Sequence, residues 1–408
     1  MPLPHIFAAE NQLLTTASRI DGGPANGPDV RELSWEYVLR AADRQGVAAL
    51  LHRWLAQRPG LAVPDGVREQ LHDTYWRGHF RNRLLLEELG RVNQAASAQG
   101  ILPMPLKGAL LAPEYYDASA LRPLSDLDLL VHPRDVAAFG AVLQSMGYTE
   151  TAPSPSYVDS ERLDLDSHDH CWFASRQGFD AFIEFRVAPL ELAVGRLTDL
   201  DPAYTDALRR HARDVWARAA TTVDGVAVRQ SPEDLLLHVA THLAAKHLDF
   251  RLIWLHDLAL ILRRHALDWT YISEHAHQLR MAAPIVAALE AARTYVGAPV
   301  TDAQVAQLIR PLRPGAWFSL TARDLAQLRH HVSTLPKRDL TQEGPWGWPL
   351  GSALSRVQRW PARLRMVRWV LLPGREYLKH RGAARSGRLS GSLLRLLDRW
   401  RRKTGVRR

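Results

Sequence analysis

The chain has one cysteine, Cys171, in 408 residues. A lone thiol excludes an intramolecular disulfide, and such sparing use fits a reducing compartment. Long apolar runs are also missing. No stretch approaches the roughly 18 uncharged apolar residues of a membrane-crossing helix. The opening Met1-Pro-Leu-Pro-His-Ile-Phe7 lacks a basic stretch running into an apolar one, so no secretory signal is expected and the cytoplasm is the expected location. Repeats and low-complexity tracts are absent too. What is present is ordinary globular composition, 46% apolar and 23% charged, in a chain long enough for two or three domains.

The net charge of +9 is unevenly spread. From Arg356 onward there are 17 Lys and Arg against only Glu376 and Asp398, so this segment carries +15 and the rest of the chain −6. A basic segment of this kind suits a nucleic-acid, membrane-surface or acidic-protein contact, and equally a solvated arginine-rich helix.

Apolar spacing predicts an α+β protein: a small mixed-sheet core flanked by N-terminal helices and a helical C-terminal half. Residues 1–100 read as a helical region, with Ser34 as a cap and Leu85, Leu89, Val92 and Ala96 on one buried face. Residues 101–188 read as an α/β core. It has strands near Met104, at Leu127–Val131, Tyr148–Ala152, His170–Ala174 and Ala181–Val187, helices from Lys107 and Pro133, and a hairpin across Gln177-Gly178. Residues 189–333 turn helical again, with a strong start at Ser231-Pro-Glu-Asp234 and helices near 251–265, 268–279 and 282–297. Residues 334–408 read as a Pro/Gly/Trp loop followed by a basic helical region.

Asp126 and Asp128 carry the chemistry. Side chains two apart on a strand share a face, and Leu127 and Leu129 then supply the buried face. Two adjacent carboxylates repel and resist burial, so they call for a cation, and Mg²⁺, with Mn²⁺ as an alternative, suits oxygen ligands. Held against a triphosphate, such an ion activates an attacking hydroxyl and stabilises a pyrophosphate leaving group. An isolated Asp-x-Asp more often marks a solvated strand end. Three neighbours change that reading. Lys107-Gly108, about 20 residues upstream, opens a helix whose start can cradle phosphate. Arg122 lies four residues before Asp126, placed for phosphate or for orienting a carboxylate. Glu184, between Ile183 and Phe185, is an acid in an apolar strand, fit to complete the metal site or act as base, with Asp180 as the competing third acid.

These residues resemble a known family. Pro105-Leu-Lys-Gly-Ala-Leu-Leu111, Tyr115, Leu121-Arg-Pro-Leu-Ser-Asp-Leu-Asp-Leu-Leu-Val131 and Ile183-Glu-Phe-Arg186 are similar to the uncharacterised nucleotidyltransferase family of bacteria, within the DNA polymerase β-like superfamily. So are Ser231-Pro-Glu-Asp-Leu-Leu-Leu-His-Val-Ala-Thr-His-Leu-Ala-Ala-Lys-His247, Arg251-Leu-Ile-Trp-Leu-His-Asp-Leu-Ala259 and Leu372-Pro-Gly-Arg-Glu-Tyr-Leu-Lys-His-Arg381. The resemblance implies Asp126 and Asp128 as metal acids and Glu184 as the third. Lys107-Gly108 stands where many superfamily members have Gly-Ser, so the phosphate grip differs. Phe185-Arg186 stands where relatives often have a histidine and an aromatic residue, which puts an acceptor role for that strand in doubt.

Other features weigh less. His238, His242 and Lys246 share a helix face, but Val239 replaces the glutamate of a metalloprotease helix, so the face is expected to meet the cleft or another helix. Asp257 is a candidate partner for that group. His168, His170 and Cys171 alternate in direction, which argues against zinc, while His170 stays a candidate acceptor-site residue. Trp346 and Trp348 are candidates for a lid.

The expected activity is metal-dependent transfer of an NMP from an NTP to a hydroxyl, phosphate or similar acceptor on a small molecule, peptide or protein, releasing pyrophosphate. Asp126, Asp128 and Glu184 form the expected catalytic and metal set. Lys107, Gly108, Arg122, Ser125, His242 and Lys246 form the nucleotide-binding set. The rivals are a transferase of the same fold that modifies a phosphorylated acceptor, and an inactive nucleic-acid-binding or scaffold protein using the basic segment. No RNA-recognition motif or basic–aromatic platform stands beside the site, which argues against RNA polymerisation.

Overall fold

The change of apolar period near residue 100 marks the passage from helices to a sheet. The structure is a computed structural model and describes residues 7–23, 29–151, 170–176, 178–190, 202–247, 251–309 and 339–341. His168, Trp346, Trp348 and the basic segment from Arg356 lie outside the described residues, as do the side chains of His170 and Lys246.

Four helices come first: α1 (Ala8–Ala17), α2 (Trp35–Arg44), α3 (Ala48–Ala56) and α4 (Asp65–Ser97). The 33 residues of α4 bury Leu85, Leu89, Val92 and Ala96 as their spacing predicts. At its end Gly100 takes φ +73, a left-handed conformation that glycine adopts freely.

The sheet follows: β1 (Met104–Pro105), β2 (Leu127–Leu130), β3 (Thr149–Glu150), β4 (His170–Arg176) and β5 (Phe179–Arg186), with α5 (Lys107–Tyr115) and α6 (Val136–Ser145) between strands. The strand order is β1-β2-β5-β4-β3. Among the described residues only the β2–β5 pair is parallel; its register sets Leu127 beside Ile183 and Asp128 beside Glu184. One face of that pair, with Leu127, Leu129, Ile183 and Phe185, packs on α4 and α6 around Phe139. The other face carries Asp128, Glu184 and Arg186, beside Leu130, which joins a small apolar cluster with Met104, Leu106 and Val215.

Beyond the sheet lie α7 (Pro202–Ala217), α8 (Pro232–Thr241), α9 (Leu252–Arg264), α10 (Trp269–Gln278), α11 (Ala282–Val296) and α12 (Asp302–Ile309). Ser231 caps α8 as expected, its Oγ accepting from the Asp234 amide at 3.2 Å. The helix expected to reach His247 becomes a π-helical turn over His242–His247. A small antiparallel pair, β6 (Ala220–Thr221) and β7 (Val228–Arg229), interrupts a stretch read as helical. Its cause is the Asp224-Gly225 turn between β-branched residues: Gly225 has φ +75, and Thr222 donates to Asp224 at 2.6 Å.

Helices α1, α2 and α3 share one core with α8, α9 and α11, through residues such as Leu13, Tyr37, Leu50, Leu235, Leu258 and Leu289. This helical mass stands against the polar edge of the sheet. Among the described residues no helix is long and apolar enough to cross a membrane.

Candidate active site

Asp128 and Glu184 sit side by side on the parallel ladder, on the face opposite the apolar core. Arg186, two residues along, shares that face. Its Nη2 lies 3.4 Å from Asp128 Oδ1, and it also pairs with the Glu184 carboxylate. The chain leaves β1 through Lys107, whose φ of +47 is unusual for a side chain of this size and marks local strain. There Lys107 Nζ donates to Asp128 Oδ1 at 2.8 Å, with both residues buried.

Helix α5 starts at Lys107 with no side-chain cap. The Ala109 amide is taken by the Leu106 carbonyl at 3.1 Å, so the positive end of the helix is offered through Lys107 and Gly108, which line the cavity with the acids. Gly108 is dictated by packing: a Cβ there would lie 2.6 Å from Leu124 Cδ2.

The loop before β2 is pinned by α4. Asn82, fully buried, donates from Nδ2 to the carbonyls of Ser119 and Arg122 at 2.6 and 2.8 Å, and its Oδ1 accepts from the Leu124 amide at 3.1 Å. Arg81 donates to the carbonyls of Leu124 and Ser125 at 3.2 and 3.1 Å. Asp126 follows, taking a 2.8 Å hydrogen bond from Ser125 Oγ.

A cavity of about 410 Å³ opens between this edge of the sheet and the helices. Asp126, Asp128, Glu184, Lys107, Gly108, Arg122, Ser125 and His242 all line it, although sequence separations reach well over 100 residues. Asp180 does not. It lies near the other end of β5, exposed, and accepts from Ser175 Oγ at 3.0 Å.

Two expectations change in detail. Lys107, expected to meet phosphate directly, is paired with Asp128. Asp257, read as a partner for the His238 face, instead receives Arg122 Nε at 3.0 and 2.9 Å and the Tyr116 hydroxyl at 2.6 Å. Arg122 therefore orients a carboxylate, but that carboxylate comes from α9.

The cavity also brings in residues that spacing did not single out as site residues: Asp43 in the last turn of α2, Gly46 just beyond it, and Arg251, Ile253 and Trp254 at the start of α9. Gln45 ties these two pieces together. Its side-chain oxygen accepts from the Leu252 amide at 3.1 Å and its carbonyl from Ile253 at 3.2 Å. The Arg251 guanidinium lies 5.0 Å from the Trp254 ring centre, and His242 meets that ring edge-on at 5.2 Å. Arg186 was visible in the sequence only as a departure from the family pattern; its parity with Glu184 was the available signal.

Burial works against the charge of Asp128, yet Lys107 and Arg186 outweigh it and hold its carboxyl below the usual range. Burial, and then the charge of Asp128, push Asp126 up. Among the described residues no group of three or more His, Cys, Asp or Glu side chains is already gathered around a cation position. The donor set nonetheless fits Mg²⁺. Asp126 and Asp128 offer hard oxygens with repelling charges, and Mg²⁺ takes one or two carboxylates and completes its shell with phosphate and water.

Acidic side chains on a parallel strand pair, beside a helix start without a side-chain cap, are chemically suited to a phosphate-bearing donor. Residues 31–297 match the model of the uncharacterised nucleotidyltransferase family, and the chain belongs to that family. The matched span contains every site residue named above, and nucleotidyl transfer is the activity class of the protein. No curated protein and no solved structure matches the chain.

Proposed function

We propose that the protein transfers an NMP from an NTP to a hydroxyl, phosphate or similar acceptor on a small molecule, peptide or protein, with Mg²⁺ or Mn²⁺ held by Asp126 and Asp128. The observation that carries this reading is the convergence of three carboxylates with Lys107 and the start of α5 on one cavity. Bound there, the divalent ion supplies charge neutralisation at the triphosphate.

The chain's own groups do the rest. Lys107 and Arg186 keep Asp128 ionised, the state in which it is a ligand. The first turn of α5 receives phosphate oxygens through its amides. Arg122, held by Asp257, whose carboxylate also takes the Tyr116 hydroxyl, fixes the loop that presents Ser125 and Asp126. An acceptor oxygen attacks the α-phosphorus, the bond to the bridging oxygen breaks, and pyrophosphate leaves. Glu184 completes the metal site or takes the acceptor's proton. The helical wall, with Arg251 and Trp254, stands where the acceptor enters.

The test is incubation of the protein with each labelled NTP, Mg²⁺ and a host lysate, beside Asp128→Asn. Label transfer and pyrophosphate from the wild type, both absent from the variant, are expected. Neither product from folded wild type overturns the proposal.

A further inference from the structure

Helix α5 has a second pocket at its other end. The catalytic cavity holds Lys107 and Gly108 at the start of the helix. Tyr115, Tyr116 and Asp117 at its finish line a separate space of about 200 Å³. Three guanidinium groups from different elements reach this space: Arg19 after α1, Arg53 on α3 and Arg263 on α9.

The three differ in how fully they are engaged. Arg19 is held by Asp21 through two nitrogens, at 2.8 and 2.5 Å. Arg53 makes one contact among the described residues, 3.3 Å to Asp117, whose side chain is 89% exposed. Arg263 donates to the Ile20 carbonyl at 2.8 Å and has no carboxylate partner among the described residues. A guanidinium carries five N–H donors, so Arg53 and Arg263 retain most of theirs. The negative end of α5 would oppose an anion here, but Arg264 donates to the Glu114 carbonyl and takes up part of that end. Trp54, Leu50 and Leu260 give the pocket an apolar side.

We propose that this pocket is a second anion site, distinct from the catalytic cavity, which binds the phosphate group of a small molecule between Arg53 and Arg263. Paired guanidinium groups match phosphate oxygens in geometry and charge. The pocket has about half the volume of the catalytic cavity, so it suits a phosphate or diphosphate end rather than a whole nucleoside triphosphate. Free phosphate and the pyrophosphate released by transfer share this chemistry, and the two are separated by titrating each.

The test uses the full chain in EDTA. Phenylglyoxal modification of individual arginines is followed by peptide mass spectrometry, with and without inorganic phosphate or pyrophosphate. Slowing of Arg53 and Arg263 by about tenfold, with exposed Arg40 on α2 unchanged, is expected of a site occupied at about 90%. Equal rates with and without both anions overturn the proposal. Calorimetry then compares Arg53→Gln/Arg263→Gln with Lys107→Ala. Binding roughly 10- to 100-fold weaker in the first and retained in the second supports it. The reverse pattern places the anion in the catalytic cavity and overturns it. Should the double variant fail to fold, the protection pattern on the unaltered protein decides.

Discussion

Asp128 on β2 and His238 on α8 are both buried, yet the sheet wall of the cavity and the helices that carry its other wall handle buried polar groups in opposite ways. On the sheet wall, Asp128, Lys107, Glu184 and Arg186 are ionic and interlocked. On the helical wall, burial first, and then Lys107 and Arg186, push His238 well below its ordinary value, so it stays neutral. Among the described residues neither of its ring nitrogens has a hydrogen-bond partner. His256 on α9 and His211 on α7 are buried and neutral in the same manner, with values pushed down to about 4 and about 3. The lesson is a division of labour. The sheet wall keeps fixed charge where the proposed phosphate and cation would be met, and the buried histidines of the helices add none to it.

The largest effect expected is on activity. Asp128→Asn keeps the shape of the side chain but removes the charge that faces the ion, and transfer should fall by about three orders of magnitude. Transfer of labelled nucleotide, measured beside a thermal melt, separates this from unfolding. Activity within tenfold of wild type would mean that the ionic wall is structural alone.

Next comes the joint between the walls. Arg122 and Asp257 are both buried, and removing one leaves the other uncompensated. Asp257→Ala should cost about 3–5 kcal/mol, read by urea denaturation. Replacing both partners by apolar residues should return much of it. A cost below about 1 kcal/mol would show that water reaches the pair.

Much of this arrangement was legible in the sequence, because short-range rules govern it. The alternation that sets Asp128 and Glu184 opposite their apolar neighbours, and the placement of Lys107-Gly108 at a helix start, follow from strand and helix periodicity, whereas Asp126, read as part of the strand, lies in the bend just before β2. The capped start at Ser231 and the run of α4 were equally plain. What was hidden depends on chain returns of a hundred residues and more. Nothing in the spacing tells Asp257 to choose Arg122 over the His238 face, or brings Gln45 to α9. The β6–β7 hairpin was a local signal outweighed by its helical surroundings.

The contrast also predicts an order of failure in acid. Neutral histidines with lowered values add stability that is fully present above their ordinary value of 6.5, and this is lost as the pH falls toward about 4 for His256 and about 3 for His211. Asp128, whose value is lowered from 3.8, keeps its contribution until the pH falls below 3.8. Between those limits the helical half should weaken first, by about 1–3 kcal/mol for each histidine. Hydrogen exchange of α8 and α9 against β2 and β5 across this pH range tests it. Earlier loss of protection in the strands would reverse the comparison.

The smallest effect sharpens where the walls meet. Gly108 has an ordinary backbone conformation, so its lack of a side chain answers to space, and Leu124 fills that space. Gly108→Ala brings a methyl group within 2.6 Å of Leu124 Cδ2 and 3.5 Å of Arg122 Nη1. The cost should be about 1–2 kcal/mol in the wild-type background and close to zero in a Leu124→Ala background, where the contested volume is empty although the truncation itself destabilises. Activity separates two roles for the glycine. If it only makes room, the double variant transfers as well as Leu124→Ala alone. If its backbone must also lie close to phosphate, the double variant has a higher KM for NTP than Leu124→Ala alone.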